Sequence, residues 1–177
     1  MEIICRKILP GEIGLSLFSA FQRFQKVEKC WRKTEGKWVL KDIPFTEDWD
    51  TADYQRICSQ LANVLDQGGA VWGAFAQGAL KGFASVEGKR IGSRNQYAVL
   101  AEMHVSQDFR RRGLGRRLFL LAADSARELG AEKLYISAMS AQESQAFYRS
   151  MGCVEAEEYD PCHVEQEPCD VQMELLL

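Results

Sequence analysis

The sequence predicts an α/β fold, a mixed sheet with helices on its faces. Three observations lead there. Short apolar runs such as residues 70–76, 80–86 and 133–138 read as strands, while stretches such as 50–65 and 114–130 carry apolar residues at helical spacing. The link Gln77-Gly78-Ala79 is short enough for an antiparallel hairpin. No repeat, low-complexity tract or proline-rich linker divides the 177 residues, so one domain over residues 1–177 is expected.

The elements follow in order. Residues 2–8 read as a strand ended by Pro10-Gly11. Residues 13–30 carry Leu17, Phe18, Phe21, Phe24 and Val27 mostly three or four apart, which predicts a helix. Residues 31–49 mix Trp31, Trp38, Pro44, Phe45 and Trp49 with many charges. They read as a loop or short irregular elements, with aromatics that line a cleft or pack over the core. Residues 50–65 predict a second helix with Tyr54, Ile57, Cys58, Leu61 and Leu65 inward. Gly68-Gly69 marks a turn before the hairpin. Residues 97–105 form the next strand and carry Glu102 and His104. A turn over 107–112 leads into a helix with Leu114, Leu118, Leu121, Ser125 and Leu129, stopped at Gly130. Then come a strand (133–138), a short helix (142–151) ended by Gly152, a strand (153–159), a polar loop with Pro161 and Pro168, and a last strand (170–176).

Bulk composition excludes several classes. The apolar fraction is 46 %, too high for a disordered chain. With 22 basic and 25 acidic residues the net charge is -3, which does not suggest a nucleic-acid binder. No run approaches the ~20 apolar residues of a membrane span. Residues 1–10 are too short and too charged for a signal peptide, so a cytoplasmic protein with six reduced, scattered cysteines is expected. Cys162, His163 and Cys169 lack the paired spacing of a zinc site, and no metal is expected.

The most informative stretch is Arg110-Arg111-Arg112-Gly113-Leu114-Gly115, between a strand and a helix. A glycine-bearing turn entering a helix leaves backbone N–H groups unpaired, and the helix dipole adds to them, making an anion site. Neither a dinucleotide fingerprint nor a P-loop occurs. Further on, Phe147-Tyr148 precedes Gly152 in a helical context.

Arg110-x-x-Gly113-x-Gly115 resembles the acetyl-CoA signature of the GNAT family of N-acetyltransferases, R/Q-x-x-G-x-G/A. Phe147-Tyr148-x-x-x-Gly152 resembles the family's later tyrosine motif, and the element order matches the family fold from about residue 2 to residue 176. The first fifty residues match by layout only. The resemblance implies acetyl-CoA as cosubstrate. The N–H groups from Arg111, Arg112, Gly113, Leu114 and Gly115 would hold the pyrophosphate, with Arg110, Arg116 and their neighbours adding charge or facing solvent. It also implies a bulge in the strand before the turn, a splay from the next parallel strand, and a thioester beside Met103, His104 and Val105. A backbone N–H near Val105 would polarise the thioester carbonyl. Related proteins often carry asparagine where this chain has Ala141. Ser140 and Ser144 are the nearby groups able to replace its hydrogen bonds, with Phe147 and Tyr148 completing the cofactor-binding set.

Tyr148 is the candidate general acid for the CoA thiolate. Glu102 is the leading base, His104 its rival, and water a third carrier of the proton. Strand alternation puts Glu102 and His104 on one face, opposite Met103, unless a bulge intervenes between them. Residues 155–170 hold seven carboxylates and no lysine or arginine, which favours a cationic acceptor. The expected activity is transfer of acetyl to a primary amine of a small cationic molecule by direct attack. The alternatives are a protein or peptide acetyltransferase and a non-catalytic CoA-binding sensor. A homodimer through exposed strand edges is compatible with the fold.

Overall fold

In the computed structural model, which describes residues 2–177, nine strands and four helices appear. The strands are β1 (Ile3–Lys7), β2 (Phe24–Thr34), β3 (Lys37–Asp48), β4 (Ala70–Ala76), β5 (Ala79–Val86), β6 (Tyr97–Val105), β7 (Lys133–Ala138), β8 (Val154–Glu155) and β9 (Val171–Leu176). The helices are α1 (Thr51–Asp66), α2 (Leu114–Glu128), α3 (Gln142–Ser150) and α4 (Pro161–Gln166). Seven strands make one sheet in the order β1-β4-β5-β6-β7-β9-β8. Only β6 and β7 pair in parallel. Parallel neighbours need a crossover connection, and α2 supplies it. The mixed α/β architecture is thus the predicted one.

The helices cover opposite faces because β4 and β5 alternate. Val71, Phe75 and Phe83 point to α1, where Ile57, Leu61 and Val64 meet them together with Phe18 and Phe21. Ala74, Ala76, Ala84 and Val86 point to the other face, under Leu114, Leu118, Phe119, Ala122 and Ala126 of α2. The start of α1 is fixed by a reciprocal cap. The Asp50 carboxylate accepts from the Asp53 N–H, and the Asp53 carboxylate accepts from the Asp50 N–H.

The expectation fails before residue 50. Residues 13–30 are not a helix. Two 3-10 turns (Pro10–Glu12 and Leu15–Phe18) are followed by the extended strand β2. Residues 31–49 are not a loop but the end of β2 and the return strand β3, joined at Glu35-Gly36, both with positive φ. The false helical period has a physical source. The hairpin register slips where Ile43 and Pro44 oppose the single residue Glu28. Val27 and Cys30, three apart, are both buried in one cluster with Ala141. Charges lie on both faces of the hairpin, which removes the alternation that marks a strand.

The C-terminal part needs a smaller correction. The strand expected over 153–159 is two residues long, and the polar loop contains α4. Asp160 caps α4 by accepting the His163 N–H at 3.1 Å, and Pro161 occupies the first helical position.

Candidate active site

β6 is the axis of the site. It pairs with β7 at Tyr97, Ala98 and Val99 opposite Lys133, Leu134 and Tyr135, and the pairing then stops. On its other edge Glu102 faces Ser85 and Leu100 faces Val86, so Ala101 is a one-residue bulge. Both the bulge and the splay implied by the resemblance are therefore present. The bulge precedes Glu102, so Glu102 and His104 still share a face. Met103 and Val105 pack on the α2 side. From Leu100 onward the β7-facing edge of β6 has no strand partner, which leaves a cleft between the strands.

The turn into α2 lies at the end of this cleft. Arg111 and Gly113 have φ of 59° and 76°, so the backbone turns twice through the left-handed region. For Gly113 this conformation is nearly free, and any side chain there would be strained. None of the N–H groups of residues 111–116 donates to another group among the described residues. Such a run of free N–H groups at a helix start is an anion cradle. Leu114 is buried, so only its N–H serves the turn, while Arg111, Arg112 and Arg116 are exposed. Arg112 stacks on Phe109 at 4.7 Å. Arg110 differs from its neighbours. Its Nε donates to the Val105 carbonyl at 3.3 Å, and burial, followed by the nearby Arg23, lowers its pKa. Its side chain is thus drawn back to β6 rather than extended with the turn.

Across the cleft stands Tyr148 on α3, packed against Phe119 and Phe147. Its hydroxyl makes no hydrogen bond among the described residues. Burial first, then Cys153, Glu102 and Asp170, push the phenol well above its ordinary pKa. It is a neutral, unpartnered O–H donor. Phe147 closes over the start of α2, where a Cβ on Gly115 would lie 3.4 Å from its ring.

Glu102 and His104 are joined directly, with Oε2 and Nε2 2.6 Å apart. The other ring nitrogen, Nδ1, accepts from Nε of Arg23 at 3.0 Å. Nη2 of Arg23 donates to Glu47 at 2.6 Å. Sequence reasoning missed Arg23 and Glu47 because they lie in the stretch misread before residue 50. Arg23 also lines a cavity of about 360 Å3 with Phe21, Asp48, Trp49, Tyr54 and Gln107.

The two serines fare differently. Ser140 is engaged with the hairpin: its Oγ accepts from Arg32 at 2.7 Å and its carbonyl accepts the Trp31 N–H at 2.8 Å. Ser144 is half-buried on α3, and its hydroxyl makes no hydrogen bond among the described residues. Ala141 is fully buried against Val27 and Cys30 and bridges Cys30. That contact explains the departure from asparagine, since the hairpin occupies the space a longer side chain would need.

Four of the seven carboxylates in the acidic segment are already paired within the protein. Burial opposes charge on Glu155, but hydrogen bonds from Lys33, Trp38 and Tyr159 outweigh it and hold the carboxyl at about 2. Glu157 pairs with Lys133, and Glu158 accepts from Ser93 and Gln96. Asp160 holds His163. Asp170 accepts from Ser137 Oγ at 3.1 Å and lies deeper than the rest. Burial raises it to about 6, and Glu167 and then Glu47 push it further up. The carboxylates gathered about the cleft are therefore Glu47, Glu102 and Asp170, only one of them from the segment the sequence pointed to.

A splayed parallel pair, a bulge, an N–H cradle at a helix start and an opposed tyrosine define an acyl-CoA N-acyltransferase architecture. A sequence model of the GNAT acetyltransferase family matches residues 35–153. The chain belongs to that family. Among curated proteins nothing matches. Solved structures share the fold at low identity. Nourseothricin acetyltransferase has 20 % identity and a TM-score of 0.69, covering 99 % of this chain and 99 % of its own. A Bacillus anthracis str. Ames protein assigned as a streptothricin acetyltransferase, in complex with acetyl coenzyme A, has 14 % identity and a TM-score of 0.73 over 100 % and 99 %. PaiA N-acetyltransferase from Thermoplasma acidophilum, in complex with coenzyme A, has 17 % identity and a TM-score of 0.62 over 100 % of both chains.

Proposed function

We propose that this protein transfers an acetyl group from acetyl-CoA to a primary amine of a small cationic molecule, by direct attack in a ternary complex. One observation carries the reading: a neutral tyrosine hydroxyl and a carboxylate, both with free hydrogen-bonding capacity, flank the cleft where β6 leaves β7. The residues fit the cosubstrate. Free N–H groups of residues 111–116 suit a pyrophosphate, and the cleft past Val99 suits a narrow arm. When bound, acetyl-CoA supplies the activated acetyl thioester.

Glu102 removes the proton from the incoming ammonium, directly or through a water. A backbone N–H on the unpaired edge of β6, near Val105, stabilises negative charge on the carbonyl oxygen. Tyr148 gives its proton to the departing sulfur. Its raised pKa keeps that proton in place until the thiolate develops. Asp170 and Glu47 favour a cationic acceptor. A small acceptor is preferred to a peptide because the backbone at Ser140 and Ala141 is already paired with Trp31 and Cys30. An extended peptide has no free strand edge there.

The test is release of CoA from acetyl-CoA across polyamines, aminoglycosides, amino-acid amines and lysine peptides, with the variant Tyr148→Phe beside the wild type. Wild type should show amine-dependent release. Tyr148→Phe should bind acetyl-CoA normally and turn over roughly 10²-fold slower. Full turnover by Tyr148→Phe rules out the acid role. Binding without release for every amine favours the sensor reading.

A further inference from the structure

The segment carrying Arg23 is pinned through its backbone. The Gln22 N–H donates to Ser106 Oγ at 2.9 Å, and the Gln22 carbonyl accepts the Gln107 N–H at 2.9 Å. The Arg23 N–H donates to the Tyr54 hydroxyl at 3.1 Å, and the Arg23 carbonyl accepts the Trp49 N–H at 3.1 Å. The Tyr54 hydroxyl donates onward to the Phe21 carbonyl at 3.0 Å. None of these bonds uses the Arg23 side chain.

That side chain is buried, with the residue only 6 % exposed. Glu47 holds the guanidinium at Nη2, and its Nε–H points at Nδ1 of His104. The His104 ring is fixed between Trp49, at 4.7 Å, and Phe83, at 5.2 Å. A guanidinium N–H has no lone pair and only donates. Nδ1 of His104 must therefore be the acceptor and carry no hydrogen. The neutral ring then bears its hydrogen on Nε2, which donates to Oε2 of Glu102 at 2.6 Å. Both ring nitrogens are engaged, and no lone pair remains on His104 to take a proton from an amine. Oε1 of Glu102 receives no hydrogen bond among the described residues.

We propose that Arg23 and His104 are positioning residues for Glu102: Arg23 fixes His104 as the Nε2–H tautomer, and that hydrogen holds one carboxylate oxygen while the other receives the amine proton. The proposal rests on the acetyl-transfer reading for its chemistry, but the tautomer can be measured without any turnover. It removes His104 from the candidate bases and adds Arg23, from the poorly legible N-terminal region, to the site.

The experiment combines nitrogen NMR of histidine-labelled protein at neutral pH with steady-state kinetics. The chain has two histidines, so loss of one set of signals in His104→Gln assigns His104. Wild type should show a bare Nδ1 and a protonated Nε2, and Arg23→Met, whose backbone contacts are intact, should lose that pattern. Glutamine offers a carbonyl to Arg23 and an N–H to Glu102, so His104→Gln should keep kcat within about threefold, whereas His104→Leu and Arg23→Met should each lose roughly 10- to 100-fold, as supporting groups behind a reactive carboxylate do. KM for acetyl-CoA should stay put in all three. A protonated Nδ1 in the wild type overturns the proposal whether or not the protein acetylates anything. So does a His104→Gln variant as inactive as His104→Leu, the result expected of a true histidine base. The expected tautomer in a protein that binds acetyl-CoA yet acetylates no amine would sink the acetyl-transfer reading and leave the hydrogen-bond chain standing.

Discussion

The two ends of β6 sit on one strand and behave differently. At the paired end the Tyr97 hydroxyl donates to buried Glu174 at 2.5 Å, and Lys133 donates to the same carboxylate at 2.7 Å. Tyr135 donates to Gln172, and Tyr159 to Glu155. A cavity of about 230 Å3 lies there, lined by Tyr97, Tyr135, Tyr159, Glu158 and Asp160. Every one of those tyrosine hydroxyls is committed to a partner. At the splayed end the Tyr148 hydroxyl and Oε1 of Glu102 have none among the described residues, and the Ser85 hydroxyl, across from Glu102, is buried without one. Polar groups satisfied by the fold stabilise it, while groups left unsatisfied are kept for something the fold does not contain. Cavity size alone does not separate the two ends; hydrogen-bond accounting does.

Three substitutions sharpen this contrast. The largest effect is expected at the splayed end. Glu102→Gln should lower kcat roughly 10²- to 10⁴-fold with acetyl-CoA affinity and melting temperature unchanged, as read by CoA release, calorimetric titration and thermal melting. A loss of only a few-fold would mean that water carries the proton unaided. Next comes the paired end. Glu174→Ala strands the buried Tyr97 hydroxyl and removes one carboxylate from Lys133, so the melting temperature should drop roughly 10 °C while kcat of the folded enzyme holds. If turnover fell as steeply as stability, the two ends would not be separable.

The smallest effect concerns Asp170, whose carboxyl is raised to about 6 from an ordinary 3.8, chiefly by burial. A carboxyl with a folded-state pKa above its unfolded value takes up a proton on folding between those two values. Ionising it therefore costs stability above pH 6, and the cost fades as pH falls towards 3.8. Asp170→Asn should melt higher than wild type above pH 6, with the gap closing in acid, and should raise KM for a cationic acceptor a few-fold. An unchanged KM would remove Asp170 from the acceptor site and leave only its effect on stability.

Much of the site was legible because its signals are local. The glycine-bearing turn into α2 was readable from Gly113 and Gly115, although the left-handed Arg111 was not, and alternation along β6 put Glu102 beside His104. The bulge at Ala101 came through resemblance, since nothing in residues 97–105 marks it. Arg23 could not be found this way, because it meets His104 across 81 residues of sequence. The hairpin was hidden for a related reason. Its strands are polar on both faces, and they bury Val27 and Cys30 at a spacing that imitates a helix. The acidic segment was visible as charge, but composition does not reveal that Lys33, Lys133, Ser93 and Gln96 already answer three of its seven carboxylates.

The hairpin's anchorage also bears on the order in which this molecule can assemble. Arg32 meets Ser140 across 108 residues, Lys33 meets Glu155 across 122, and Gln22 meets Ser106 across 84. Contacts of such span close long loops and cannot repay their entropy until the intervening sheet exists. During synthesis the hairpin leaves the ribosome before the elements it docks against. The wall of the catalytic cleft is thus made early and set in place late, and a nascent chain that ends before residue 155 carries that wall with part of its seat still missing.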